Sequence, residues 1–333
     1  YHFQTYPSNP GDCVGAFSDW TNLMGDPALH LWTDTPKDFV IEGLGQQLQL
    51  GTNYLDLKIT DSHGGLVDNA RVTLLMGDDV IFESNYTNSQ GEVSFNWENT
   101  DQAGTLYVTV TKRNYRPLEY STQISGDYAI SYSWGGTFEG DAGDDYEMPA
   151  ISVQSAGTQS ISNLTGTLSS SSDLVEINNA YSNWSDLSDN TWEENSPLFS
   201  INISEHAIYG DDLNLILTLD DDNNHSWNIY VPFIVNSPKI DILEFLTSGR
   251  PEPGESVELF LQVQNNGTLA AENSIALISA PSNLITVDNG LINFGDIEPG
   301  QISISEEVPV LSFSNSILNG SVFPIEISIA DQN

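Results

Sequence analysis

Val153-Gln154-Ser155-Ala156-Gly157-Thr158 returns 110 residues later as Val263-Gln264-Asn265-Asn266-Gly267-Thr268. The same spacing relates Asn163 to Asn273, Ser169 to Ser279, Leu174 to Leu284, Asn179 to Asn289 and Asp186 to Asp296, and beyond them Gly210 to Gly320 and Asp221 to Asp331. An offset held over about 70 residues predicts two tandem copies of one module. Short strand-like runs accompany both copies: Ile201–Ile203 and Leu213–Leu219 in the first, Val257–Val263 and Phe323–Ile329 in the second. Such runs between turn residues are the pattern of a β-sandwich. The first copy continues past Asp221 into Ser226–Val235 (SWNIYVPFIV), which reads as one further strand. The second reaches its matching aspartate at Asp331, so its final strand is expected to be missing.

Working outward, residues 54–111 carry the same kind of signal. Tyr54–Thr60 alternates, as do Arg71–Met76, Val80–Ser84, Glu92–Trp97 and Thr105–Thr111. Turn-forming stretches separate these runs at Asp61–Gly65, Gly77–Asp79 and Asn88–Gly91, and Gly64 and Gly65 are both expected to supply positive φ. No window of comparable length has helical period. Residues 1–37 stand apart: they are rich in aromatics, Pro and Gly, without alternation. The expected division is therefore 1–37, a sandwich over 38–125, a first repeat over 126–235 and a second over 236–333.

The charge narrows the function classes. The chain has 333 residues, with 47 acidic against 8 basic side chains and a formal net charge of −39. Only Lys239 and Arg250 are basic after Arg116. Nucleic-acid binding needs basic stripes to neutralise phosphate, so it is excluded. An anionic membrane surface would repel the chain, and no apolar run approaches the roughly 18 residues that span a bilayer. Dense acidity keeps a protein soluble and suits salt water, where self-repulsion is screened. The single cysteine, Cys13, permits no internal disulfide.

Three stretches carry resemblances. Asn22-Leu23-Met24-Gly25-Asp26-Pro27-Ala28-Leu29, with Leu31-Trp32-Thr33 and Pro36, resembles the end of the gingipain-type cysteine peptidase domain, with Ala28 where that family has a hydroxyl residue. Residues 54–124 resemble carboxypeptidase-regulatory-like modules through Asp61–Leu74, Thr87–Phe95 and Tyr107–Pro117, with Asn114 where such modules have Gly. Residues 249–268 (GRPEPGESVELFLQVQNNGT) resemble the opening of bacterial surface immunoglobulin-like repeats. Together they imply an all-β chain of tandem immunoglobulin-like β-sandwiches, preceded by a short remnant of a caspase-like α/β peptidase domain. Gly25, Asp26 and Pro27 are then structural residues of that remnant. Type IX secretion, to a cell surface or the medium of a bacterium, is the export route the resemblance implies, and the acidic composition adds the expectation of a marine or saline habitat.

Candidate chemistry is sparse. A cysteine peptidase needs a thiolate beside a base. Cys13 sits in a Pro/Gly loop without a neighbouring His, and His63 falls in a hairpin turn, so the chain alone is expected to be inactive. His2, His30, His206 and His225 lack zinc-ligand spacing. Two acidic runs offer oxygens for a structural calcium ion: Asp141, Asp144, Asp145 and Glu147, read as one loop, and Asp220, Asp221 and Asp222, followed by Asn223 and Asn224. Neither matches an EF-hand, and in so acidic a chain solvated runs arise readily. Trp134, Trp184, Trp192 and Trp227 are either core residues or platforms for sugars. Two functional readings follow. One is a non-catalytic accessory region of a secreted gingipain-like endopeptidase, partnered by the upstream peptidase domain and by surface glycans. The other is a structural or adhesive stalk or filament subunit, partnered by neighbouring copies of itself.

Overall fold

A computed structural model describes residues 33–188, 191–318 and 320–331. Among these residues the chain is all-β: 28 strands and no helix. Cys13, His2, His30 and the Gly25-Asp26-Pro27 motif lie outside the described residues. The chain forms two compact units. One contains the described residues up to Leu44 with Asp56–Phe95 and Leu106–Ser121; the other contains Gly45–Leu55, Asn96–Thr105 and the residues from Thr122 on.

Eight strands precede residue 126: β1 (Phe39–Glu42), β2 (Gln47–Gln49), β3 (Tyr54–Asp61), β4 (Arg71–Met76), β5 (Ile81–Tyr86), β6 (Glu92–Asn96), β7 (Gly104–Thr111) and β8 (Leu118–Ser125). In the first unit, β1, β3 and β6 form one sheet, and β8, β7, β4 and β5 run in that order in another. The strands read from the sequence, β3 to β7, are all present. Val72, Leu74 and Met76 are buried on β4, and Val108 and Val110 on β7, while Leu57 and Ile59 of β3 and Val93 and Phe95 of β6 supply the rest of the core. The turn after β3 corrects one expectation. Gly64 has φ of 80°, but Gly65 is not left-handed. A Cβ at Gly65 would instead lie 3.0 Å from the Asp61 carboxylate.

The second unit holds twelve strands between residues 126 and 236: β9 (Ile130–Trp134), β10 (Glu139–Asp141), β11 (Asp145–Glu147), β12 (Ile151–Ser155), β13 (Thr165–Ser170), β14 (Val175–Asn179), β15 (Tyr181–Asn183), β16 (Glu193–Glu194), β17 (Ser200–Ile203), β18 (Leu215–Asp220), β19 (Ser226–Val231) and β20 (Ile234–Asn236). Eight more follow: β21 (Ile240–Thr247), β22 (Ser256–Asn265), β23 (Ala271–Ser279), β24 (Ile285–Asp288), β25 (Leu291–Ile297), β26 (Ile302–Ile304), β27 (Val310–Phe313) and β28 (Glu326–Ala330).

The repeat read from the sequence reappears as strand register. Ile130 faces Ser155 across β9 and β12, and Ile240 faces Asn265 across β21 and β22. Ser152 faces Glu194, and Gln262 faces Ile304. Thr167 faces Tyr181, and Leu277 faces Leu291. Leu168 faces Leu217, and Ile278 faces Ile327. Val175 faces Ile203, and Ile285 faces Phe313. Each partner in the second set stands 110 residues after its counterpart. A one-residue slip would turn a strand inside out, so five agreeing registers describe one topology built twice.

The glycines of the quoted hexapeptides follow from this geometry. A Cβ on Gly157 would lie 2.3 Å from the Asp127 carbonyl oxygen, and one on Gly267 would lie 2.2 Å from that of Ser237. The same two carbonyls accept the N–H of Thr158 and of Thr268, each at 3.0 Å. Two chain segments meet there with no room for a side chain.

The repeats differ most at one sheet edge. In the first, the sheet runs β15-β13-β18-β19; in the second it runs β25-β23-β28 and, among the described residues, stops there. The stretch 226–235, read as a single strand, is two. Pro232, which has no N–H to donate, ends β19, and the chain resumes as β20 parallel to β10. The outer edge of β19 is met by Asn53, whose N–H donates to the Asn228 carbonyl at 3.0 Å and whose Oδ1 accepts the Tyr230 N–H at 2.8 Å.

Gly157→Ala and Gly267→Ala are each expected to cost roughly 1–3 kcal/mol, because a backbone carbonyl must move aside. Gly136, with nothing within 4 Å of its Cβ position, is the control and should change stability by less than about 0.5 kcal/mol on replacement by Ala. Urea unfolding of the three variants measures this, and equal effects at all three sites would contradict the close-approach account.

Candidate functional site

The acidic run after β18 is a closed hairpin built around one buried carboxylate. Its side chain is fully buried at Asp221, whereas Asp220 and Asp222 are exposed. Oδ1 of Asp221 accepts the N–H of Asn223 at 2.8 Å and of His225 at 2.9 Å. Oδ2 lies 2.8 Å from Nδ1 of His225. The His225 ring stacks on Tyr128 with centroids 3.7 Å apart, and Nε1 of the neighbouring Trp227 donates to the Tyr128 carbonyl at 3.2 Å. Burial works against the Asp221 charge, but the His225 ring and the N–H groups of His225 and Asn223 outweigh it and hold the carboxyl below the usual range. Both oxygens are engaged by donors, so a cation would have to displace them. Asp222 instead accepts from the Asn163 side-chain amide.

The second acidic run is not one loop. Asp141 ends β10, Asp145 and Glu147 belong to β11, and Asp144 lies in the turn between them, with its N–H donating to the Asp141 carbonyl at 3.2 Å. All four side chains are exposed. Oδ1 of Asp145 accepts from Asn178 at 3.0 Å and Asn202 at 3.1 Å, which pins it along the sheet. A polar recess of about 390 Å³ is lined by Asp173, Glu176 and Glu205 and by none of these four. Among the described residues, no group of three or more His, Cys, Asp or Glu side chains could hold a metal ion.

The described histidines are turn residues or exposed. His63 donates its N–H to Asp61, whose carboxylate also receives Gly65 N–H and Lys37 Nζ. Those N–H groups, then Lys37, hold the Asp61 carboxyl below its usual range. His206 is exposed beside Glu205. Of the tryptophans, Trp184 and Trp227 are core, Trp134 is half-buried, and Trp192 is exposed.

Sequence reading passed over two features. Asn265, wholly buried inside the quoted hexapeptide, accepts the N–H of Lys239 and of Gly267 and donates to the carbonyls of Leu269 and Ile297. Its counterpart Ser155 makes one such bond, to Gln159. The other is an apolar groove of about 440 Å³ in the second module, lined in part by Phe245, Leu259, Ile285, Phe313, Phe323 and Ile327. Phe313, Phe323, Ile325 and Ile327 are half-buried there. Their counterparts Ile203, Leu213, Leu215 and Leu217 are at most 1% exposed, packed in one core with Ile229 and Val231 of β19 and Val235 of β20.

Comparison with known proteins adds little. No family model and no curated protein matches the chain. Solved structures with some likeness include the Escherichia coli alpha-2-macroglobulin activated by porcine elastase, at 11% identity and a TM-score of 0.24, over 88% of this chain and 32% of that one. The human desmocollin-1 ectodomain is 12% identical with a TM-score of 0.23, over 90% of this chain and 57% of that one. Titin domains are 10% identical with a TM-score of 0.20, over 88% of this chain and 91% of that one. The chain thus spans about a third and just over half of the first two, and scores this low carry no argument about function.

The hairpin yields a pH prediction. Asp221→Asn should lower stability at pH 7 by about 1–3 kcal/mol through the loss of charge-assisted hydrogen bonds. Because the folded-state pKa is lowered, the carboxylate's contribution is complete above the ordinary value of 3.8 and is lost as pH falls through the folded value. The gap between wild type and variant, read from melting temperatures at pH 7 and below pH 3, should therefore shrink on acidification. An unchanged gap would contradict the charged hairpin.

Proposed function

We propose that this chain is the non-catalytic accessory region of a secreted, gingipain-like cysteine endopeptidase, made of immunoglobulin-like sandwiches that space and stabilise the protease at the cell surface. One observation carries the reading. The carboxylates held below their usual range, Asp61 and Asp221, both bind N–H groups of their own hairpins. Perturbed carboxylates in an active site stand in a cleft, poised toward substrate; these two fasten turns. Asn114 adds support, since it takes φ of 64° at the position where regulatory-like modules carry Gly. The acidic surface fits an extracellular, saline setting.

The test is hydrolysis. Purified residues 1–333 should leave Arg- and Lys-peptide substrates intact, while mass spectrometry of the native protein's N-terminal region should read a caspase-like domain upstream. Cleavage that disappears in Cys13→Ala, or a mature protein without that domain, would overturn the accessory reading.

A further inference from the structure

We propose that the outward face of β5, β4 and β7, in the first unit, binds an extended, uncharged polysaccharide that lies across the sheet with sugar rings stacked on Phe82 and Tyr107. The inference does not depend on the accessory role. It starts from strand register. Val72, Leu74 and Met76 of β4 and Val108 and Val110 of β7 are buried, so the alternate residues of these strands point outward. Pairing lines the outward residues up in three rows. Phe82, Leu75 and Tyr107 lie side by side; next come Ser84, Thr73 and Thr109; then Tyr86, Arg71 and Thr111.

The first row is an open apolar strip. Phe82 is 58% exposed, Leu75 38% and Tyr107 54%. Neighbouring strands stand about 4.8 Å apart, so the two aromatic residues, two strands apart, are separated by about 10 Å at their backbones. Two successive sugars of an extended glycan cover that interval. The second row bears only hydroxyl groups. Arg71 Nε donates to Ser84 Oγ at 2.9 Å, and the Ser84 and Thr73 hydroxyls are 3.0 Å apart. The third row returns to an aromatic ring, Tyr86, which is exposed.

That striping decides the occupant. A protein partner docks on a continuous apolar centre sealed from water by its rim; here a hydroxyl row interrupts the apolar surface. A sugar presents C–H faces to aromatic rings and hydroxyls to hydroxyls, so it engages both kinds of row. The charge agrees. None of the residues in the three rows is a carboxylate, in a chain with 47 acidic side chains, and Arg71 is their one charged member. An acidic polymer or a second copy of this chain meets a net charge of −39 and is repelled, whereas an uncharged glycan is not. Exposed Glu119, on neighbouring β8, gives the border an acceptor for sugar hydroxyls.

Native affinity electrophoresis of residues 1–333 tests this, in gels containing hydroxyethyl cellulose, β-mannan or carboxymethyl cellulose. At least one of the two neutral polymers should retard the chain, and acidic carboxymethyl cellulose should not. Phe82→Ala combined with Tyr107→Ala should weaken binding by about tenfold or more, while Phe82→Trp combined with Tyr107→Trp should preserve it. Trp192→Ala removes an exposed aromatic ring elsewhere and should change nothing. Melting temperatures close to that of the parent chain show that each variant is folded, as expected for exposed positions. Retardation by neither neutral polymer, equal retardation by carboxymethyl cellulose, undiminished binding in the double Ala variant, or an equal loss in Trp192→Ala would overturn the proposal.

Discussion

Everything in this structure turns on the obligation to pair buried backbone N–H and C=O groups. With no helix among the described residues, that obligation falls on strand ladders and on the few side chains able to stand in for a strand. Asn53 does so at the outer edge of β19, by giving one hydrogen bond and receiving another. Asn265 does so inside the second module, where one amide serves four backbone groups. Asp61 and Asp221 do so at hairpin ends, each satisfying two N–H groups. Among the described residues the pattern stops at the β28 edge, beside which the isoleucines are half-buried.

Charge and fold are reconciled by alternation. A strand with one face in the core leaves every second position to solvent, and there an acidic chain can carry carboxylates without burying them. Glu258 lies exposed between buried Val257 and Leu259, and Glu92 precedes buried Val93. The exceptions, Asp61 and Asp221, are buried, and the hydrogen-bond donors around each hold its carboxyl below the usual range.

Much of this was legible in advance. Arg71–Met76 was read residue for residue because its alternation is strict and its ends are marked by turns. The offset of 110 was legible because Gly157 and Gly267 have no room to vary. β1, β2 and β8 went unread: β8 buries only Thr122 and Ile124 among eight residues, too little to produce a period. The break within Ser226–Val235 was masked by apolar residues on both sides of Pro232. The repeat set Asp221 apart from Asp220 and Asp222 by matching it to Asp331, but not its burial, which goes with a His225 ring stacked on Tyr128, about a hundred residues away in sequence. The missing partner of Phe323–Ile329 was legible from the repeat, but the half-burial of the side chains lining the groove was not, because Phe323–Ile329 alternates just as Leu213–Leu219 does. What separates them is a neighbouring strand, which a segment's own sequence does not record.

The central claim is that one topology is built twice and, among the described residues, only the first copy has a strand beyond the β18 position. Native-state amide exchange on the chain by itself tests this most directly, because it reads the two equivalent strands side by side. The account predicts that Leu215–Asp220, bonded on both edges, exchange slowly throughout, whereas alternate amides of Glu326–Ala330 exchange rapidly. Uniform slow exchange along both strands would contradict it.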